Sequence, residues 1–395
     1  MKVKLRELGE IVTGNTPSKQ VTEFWDSDDI CFVKPDTISD TGISTILSSA
    51  EHLAEAARSK ARVVGNDAVL VTCIGSIGKI GITGQGEFAF NQQINAIIPN
   101  RRVNPKYLAY ALVFAKPQLI AIANAPVVPI INKSQFGDFE INIIEGLQKQ
   151  AEVARTLDIV AGVISKRQQQ LSTLNDLIKA RFVEMFGNPF DIGNPAKWPQ
   201  KPIRQIAASI SDGSNVDKAI YKRHGDVLFL RIQNVWCNEF RLEDSVYISK
   251  DENAEYKDTS LKHGDLLITK IGRYYTSDSS LGRVSVYLGD DDKANYSNNI
   301  MRIRFTDVVN SEFVNALMNL DDYNRFIRKT SVGGTDKRAL SKSLIAEYPI
   351  VVPPINKQNE FVDSIHQIDK SKSVIQKTLD ETQILFDSLM QKYFG

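Results

Sequence analysis

Apolar residues recur every seven positions at Leu157, Ile164, Leu171, Ile178 and Met185, with Val153, Val160 and Leu174 interleaved. The same spacing returns at Ile365, Leu379, Phe386 and Tyr393, interleaved with Phe361, Ile368, Ile375 and Leu389. Seams of this period, sustained over about five heptads, predict two long helices that pair as a coiled coil. The alternative is that each helix packs only on its own globule. Arg167 and Arg181 interrupt the first seam and Lys372 and Thr382 the second, and polar interruptions of this kind can fix register. Elsewhere the pattern changes to short β-branched runs such as DAVLVTCI (67–74) and GDLLITKI (264–271), punctuated by Gly, Asn and Asp. With short helical stretches such as PKYLAYALVFA (105–115) between them, these runs predict mixed α+β globules.

The two seams belong to an internal repeat. A shift of 208 positions pairs Lys149 with Lys357, Gln150 with Gln358, Leu171 with Leu379 and Phe186-Gly187 with Phe394-Gly395. Upstream the offset drifts but the order of features holds. AVLVTCIGSIG (68–78) answers to DLLITKIGRYY (265–275), FAFNQQINAIIP (88–99) to ANYSNNIMRIRF (294–305), and VNPKYLAYAL (103–112) to VNSEFVNALM (309–318). The expected plan is a globule over 1–145, a helix over 146–187, a linker over 188–200, a second globule over 201–353 and a second helix over 354–395. About 37 helical residues at 1.5 Å rise make a rod of roughly 55 Å. Paired antiparallel, two such rods relate the globules by a pseudo-twofold axis. Two DNA readers on such a spacer meet sites about one helical turn apart, 34–36 Å, in opposite sense. For DNA readers the target would then be split, with an unread gap, but the geometry by itself fits any two-headed scaffold.

Composition adds mostly exclusions. The 395 residues carry 48 Lys and Arg against 47 Asp and Glu, a net charge of +1, so any nucleic-acid binding must rest on local patches or basic partners. Cys31, Cys73 and Cys237 form no CxxC pair and are expected to be core residues. Four isolated histidines offer no metal-ligand spacing. No apolar run approaches a membrane span and the first residues lack a signal-peptide core, so a cytoplasmic location is expected.

Several motifs carry a resemblance: GNTPSK (14–19), GSIGKIGI (75–82), FNQQINAIIP (90–99), PIVVPPINKQNEF (349–361) and the FG closing each helix. In this order, and duplicated along the whole chain, they resemble the specificity subunit of a Type I restriction-modification enzyme. The resemblance implies two target-recognition domains spaced by helices, two bound methyltransferase subunits and optional ATP-driven restriction subunits. Adenine N6 methylation and DNA cleavage would reside in those partners, with S-adenosylmethionine, ATP and Mg there and no cofactor in this chain. Two departures stand out. The first helix is approached without the proline pair found at Pro353-Pro354, and the second copy has Asn215-Val216-Asp217 in place of Thr16-Pro17-Ser18.

Base edges are read by Arg, Lys, Asn, Gln and hydroxyl side chains, and phosphates by basic or hydroxyl groups on loops. The candidate DNA contacts are Thr16, Ser18 and Lys19 in GNTPSK; Lys34, Asp36 and Thr37 after one strand; and Arg231, Gln233 and Asn234 after its counterpart. Ser76 and Lys79 lie in the glycine-rich turn, with Lys270, Arg273 and Tyr274 as the second copy's version. Asn91, Gln92 and Asn298 lie in amide clusters, which equally satisfy turn backbones. Lys337 and Arg338 tip a flexible loop, GGTDKR (333–338), where the first copy has APVVPI (125–130). Each set also has a plain structural reading as polar strand ends and solvated turns.

Catalysis is not expected of this chain. NPF at 188–190 falls short of an adenine methyltransferase motif, GITGQG (81–86) has the wrong spacing for a dinucleotide loop, and no P-loop occurs. The alternative to DNA reading is a two-headed scaffold that binds only methyltransferase-like proteins, which near-zero net charge would suit. Inserting one heptad into both long helices is expected to lengthen the unread gap of the methylated motif. A gap that stays the same in methylation mapping would exclude the helices as the ruler.

Overall fold

The computed structural model describes residues 1–123, 128–191, 193, 195–276 and 278–395. Both long helices form, over Leu147–Phe186 and Ile355–Phe394, 40 residues each. Among the described residues no helix is long and apolar enough to cross a membrane. The chain divides into two compact units, Met1–Gln169 with Ile375–Gly395, and Gln170–Val374. The division cuts through both helices, so each unit holds one globule, a stretch of the central helix and a stretch of the C-terminal helix.

In the first unit Val153, Ala154 and Leu157 share a core with Met390 and Phe394. Further along the central helix, Arg167 donates to the Thr378 carbonyl and the Thr382 hydroxyl. The two segments therefore run antiparallel, and a polar interruption of one seam meets a polar interruption of the other. In the second unit Phe182 and Phe186 pack at 5.3 and 5.5 Å against Phe361, with Ile178 and Ile365 bordering the same core. Leu157 and Val160 are buried. Ile164, Leu171, Leu174, Ile178, Ile365, Ile368, Ile375, Leu379, Phe386 and Leu389 are half-buried, as expected where one neighbouring helix covers a seam residue.

The first globule is built on two sheets. One orders its strands Gly9–Thr13, Ile94–Pro99, Val69–Thr72, Ile80–Thr83 and Ile43–Ile46; the other orders Glu51–Leu53, Ile30–Val33, Phe88–Phe90 and Val63–Val64. The second globule repeats the scheme with Ala207–Asp212, Ile300–Phe305, Leu266–Thr269 and Val284–Val286, and with Val246–Ile248, Val227–Leu230 and Ala294–Tyr296. In both, the strand before the candidate cation (Ile30–Val33 or Val227–Leu230) pairs parallel with the strand before the amide cluster. Continuous apolar runs such as Val69–Thr72 and Leu266–Thr269 are buried throughout, which is why they read as runs rather than as alternation. The cysteine expectation holds for Cys73, holds in part for Cys31, which packs against the core at its edge, and fails for Cys237. Cys31 is half-buried and Cys237 is exposed, at the turn between strands Val235–Trp236 and Glu239–Phe240.

Each globule is tied to the start of its long helix by a buried glutamine. The Gln150 side chain accepts from Asn104 N at 2.8 Å and donates to the carbonyls of Arg102 and Ile144 at 3.2 and 2.9 Å. Gln358 accepts from Asn310 N at 2.8 Å and donates to Val308 and Pro353 at 3.2 and 2.7 Å. Both glutamines are fully buried, so their amides must be satisfied within the protein, and these bonds satisfy them. Gln150→Leu or Gln358→Leu is expected to destabilise the protein by about 1–3 kcal/mol per orphaned group. Urea denaturation reads this as a lower midpoint, and an unchanged midpoint would show that the clamp is dispensable.

Candidate nucleic-acid interface

The GNTPSK loop and its counterpart are held against the amide clusters by matching contacts. Gly14 N and Asn15 N donate to the Ile94 and Phe90 carbonyls, both at 3.0 Å; Gly213 N and Ser214 N donate to Ile300 and Tyr296 at 3.2 and 2.9 Å. A Cβ on Gly14 would stand 2.2 Å from the Asn91 carbonyl oxygen, and one on Gly213 2.2 Å from that of Ser297, so only glycine permits the approach. Across this junction the Thr16 hydroxyl donates to Gln92 Oε1 at 2.8 Å, and Asn298 Nδ2 reaches Asn215 Oδ1 at 3.5 Å. The Asn-Val-Asp departure thus preserves the bridge with a different donor. Asn91 is buried, and its Oδ1 accepts from Gln93 N at 3.1 Å, which is a turn-forming role. Thr16, Gln92, Asn298 and Ser18 are exposed.

After the parallel strands come short 3-10 turns, Pro35–Thr37 and Ile232–Asn234. Thr37 Oγ1 accepts from Lys34 N at 3.3 Å, and Asn234 Oδ1 accepts from Arg231 N at 2.9 Å. Asn234 also donates to the Arg241 carbonyl and is buried, so its amide is spent on the turn and is withdrawn from base reading. Asp36 and Gln233 remain exposed. Lys34 is paired with Glu51, which also takes Lys19 at 3.1 Å; the Lys34 ammonium holds the Glu51 carboxyl below its usual range, and the carboxylate holds Lys34 above its own. Arg231 pairs with Asp244 at 3.0 Å. A bond donated by Gln233, reinforced by Arg231, pushes the Asp244 carboxyl down.

The repeat correspondence expected around the glycine-rich turn changes. Ile131 N donates to Cys73 O and Leu340 N to Lys270 O, which keeps Cys73 opposite Lys270. Gly78 and Gly282, however, share the same left-handed φ, +76° and +74°, and the same bond back to Thr72 or Thr269. Ser76-Ile77-Gly78-Lys79-Ile80 therefore matches Ser280-Leu281-Gly282-Arg283-Val284, and residues 271–279 stand in the second unit where the first has only Ile74-Gly75, an insertion of seven residues. Lys79 is mostly covered and pairs with Asp40 at 3.0 Å. Its counterpart Arg283 is buried, stacked 3.5 Å over Trp236 and pushed below the usual arginine range by burial. The shared small-apolar-Gly-basic-apolar pattern was the available signal, and the insertion displaced it.

Within this longer segment, strand Ile271–Arg273 pairs with Lys337–Ala339, which pairs in turn with Val332–Gly333. GGTDKR is therefore part of a β-ribbon rather than a flexible loop. Arg338 lies 4.0 Å over the Tyr274 ring, Arg273 sits 3.8 Å from Asp336, and Lys270 pairs with Asp212. Among the described residues of the first unit the bridge Ile74 to Ile130 stands here; residues 125–127 of APVVPI lie outside them. An open pocket of about 480 Å³ joins Ile232, Arg273, Ser279, Ser280, Asn299 and Lys337, so four candidate segments of the second unit converge on one surface.

The family described as Type I restriction modification DNA specificity domain matches twice, over residues 1–175 and 195–382. The MjaIX specificity subunit of Methanocaldococcus jannaschii is 22% identical over 416 aligned positions, covering 98% of this chain and 91% of that one. The StySPI specificity subunit of Salmonella potsdam is 21% identical, covering 84% and 73%. The crystal structure of the M. genitalium S subunit superposes with a TM-score of 0.58 at 13% identity, covering all of this chain and 96% of that one. A chain from a solved Type I restriction-modification assembly gives 0.56 at 17% identity, covering all of this chain and 97% of its own length. Gly14→Ala and Gly213→Ala are each expected to cost about 1–3 kcal/mol by overpacking. A melting temperature unchanged in both variants would contradict the close approach.

Proposed function

This chain belongs to the Type I restriction-modification DNA specificity family, and from that premise we propose that it reads a bipartite, asymmetric sequence in double-stranded DNA. As a specificity subunit it is non-catalytic, and the chemistry lies in its partners. The observation that supports a split reader is the duplicated loop bridge, Thr16 to Gln92 and Asn298 to Asn215, set beside side chains that differ between the units. Equal scaffolds carry unequal contact residues: Lys34 against Arg231, and a simple bridge against the β-ribbon of residues 271–273 and 332–339. Two half-sites of different sequence follow from that inequality.

Two methyltransferase subunits dock on this chain in the proposed complex, so that an adenine of each half-site is methylated at N6. Such chemistry requires the base to leave the stack and enter the partner's pocket beside S-adenosylmethionine. Restriction subunits using ATP and Mg would cut DNA unmodified in both half-sites. In this chain Arg231 can take a guanine through O6 and N7, Gln233 an adenine through N6 and N7, and Lys337 and Arg273 can hold phosphates.

The test is the methylome of the source organism with and without this gene. A split N6-methyladenine motif that disappears on deletion is expected; a motif that persists, with the methyltransferase subunit expressed, would overturn the reading. Arg231→Ala or Gln233→Ala is expected to relax one half-site, at about 1–3 kcal/mol of lost discrimination per base contact. Equal relaxation of both half-sites in the mapped motif would sink the assignment of one unit to each.

A further inference from the structure

The candidate cations share an arrangement that the near-zero net charge conceals. In the first unit Lys34 and Lys19 are held by Glu51, and Lys79 by Asp40. In the second unit Arg231 is held by Asp244 and Lys270 by Asp212. At three of these pairs the acid is the outer member. The side chains of Lys79, Arg231 and Lys270 keep 12%, 22% and 17% of their accessibility, whereas those of Asp40, Asp244 and Asp212 keep 82%, 76% and 50%. At these three pairs the carboxylate is therefore the more accessible charge, whereas Lys34 and Glu51 are about equally covered and Lys19 stands outside Glu51. The arrangement also recurs around the same structural feature: the cation that follows each parallel strand is held from the antiparallel neighbour, by Glu51 on Glu51–Leu53 and by Asp244 just ahead of Val246–Ile248.

We propose that Asp40, Glu51, Asp212 and Asp244 are specificity-determining residues that suppress binding to non-cognate DNA. Each holds a DNA-facing cation in an ion pair. A phosphate can take that cation only by approaching the carboxylate, and it gains no more than the charge contact it displaces. A guanine edge offers Arg231 two aligned acceptors without a negative charge, so the correct sequence exchanges with Asp244 where a bare backbone does not. Among the described residues Lys337 forms no ion pair, which leaves it available for sequence-independent attachment. This inference rests on the DNA-reading role proposed above.

The test uses the chain in complex with its methyltransferase subunits, titrated across a salt series with one duplex bearing the mapped motif and one lacking it. D40N, E51Q, D212N and D244N are each expected to tighten non-cognate binding severalfold, and the salt slope on that duplex to steepen by roughly 0.9 per freed cation. Cognate affinity stays within about twofold, so the ratio between duplexes falls. Asp244→Glu, which keeps the charge, keeps the ratio. Unchanged non-cognate affinity, or equal tightening on both duplexes, overturns the proposal. Loss of cognate binding alone also overturns it, by making the carboxylates direct readers of cytosine N4. If the unsubstituted complex itself does not discriminate between the duplexes, the DNA-reading role fails first, and the suppression proposal with it.

Discussion

Neither globule closes its core with its own half of the sequence. Phe394 and Met390, at the far end of the second copy, fill the core of the first unit, where Tyr107 lies 5.0 Å from Phe394. Phe182 and Phe186, at the end of the first copy's helix, fill the core of the second unit and pack on Phe313 at 5.2 and 4.9 Å. This reciprocal exchange of aromatic helix ends is the constraint on which the rest depends. It forces the helices antiparallel, because each must leave its own globule to finish the other, and it explains why both copies end in Phe-Gly. Burial of two large side chains at each helix end supplies a driving force that the half-covered seam between the helices cannot.

The buried glutamines work with that exchange. Gln150 and Gln358 fix each helix start to its own globule while the helix end serves the other. Both ends of each rod are thereby tied to a packed core, and the seam in between needs only modest burial. The polar contact of Arg167 with Thr378 and Thr382 fits this division of labour, since a partly buried polar contact within a seam sets register more than it adds stability.

On the candidate surface the scaffold and the variable side chains are separable. Gly14, Gly213, Gly78 and Gly282 preserve loop geometry in both copies, while side chains free to differ do so: Lys34 against Arg231, and Lys79 paired with Asp40 against Arg283 stacked on Trp236. The longer segment 271–279 extends this logic by adding a β-ribbon to one unit without disturbing the sheet beneath. Asn234 shows the opposite case, a candidate polar side chain whose amide the turn consumes.

The sequence alone determined the duplication, the helical seams with their extents, the α+β character of the globules and the family resemblance. These are local or periodic properties, written in spacing and in the order of motifs. Most candidate loops could also be located, because glycine and amide clusters mark turns whatever surrounds them. Only the tertiary structure decided which copy's helix end fills which core. It also matched Lys79 with Arg283 across an insertion, turned GGTDKR into a strand, left Cys237 exposed, and set carboxylates over the cations. Each of these depends on residues far apart in the chain being brought within a few ångströms, and no local pattern encodes that meeting.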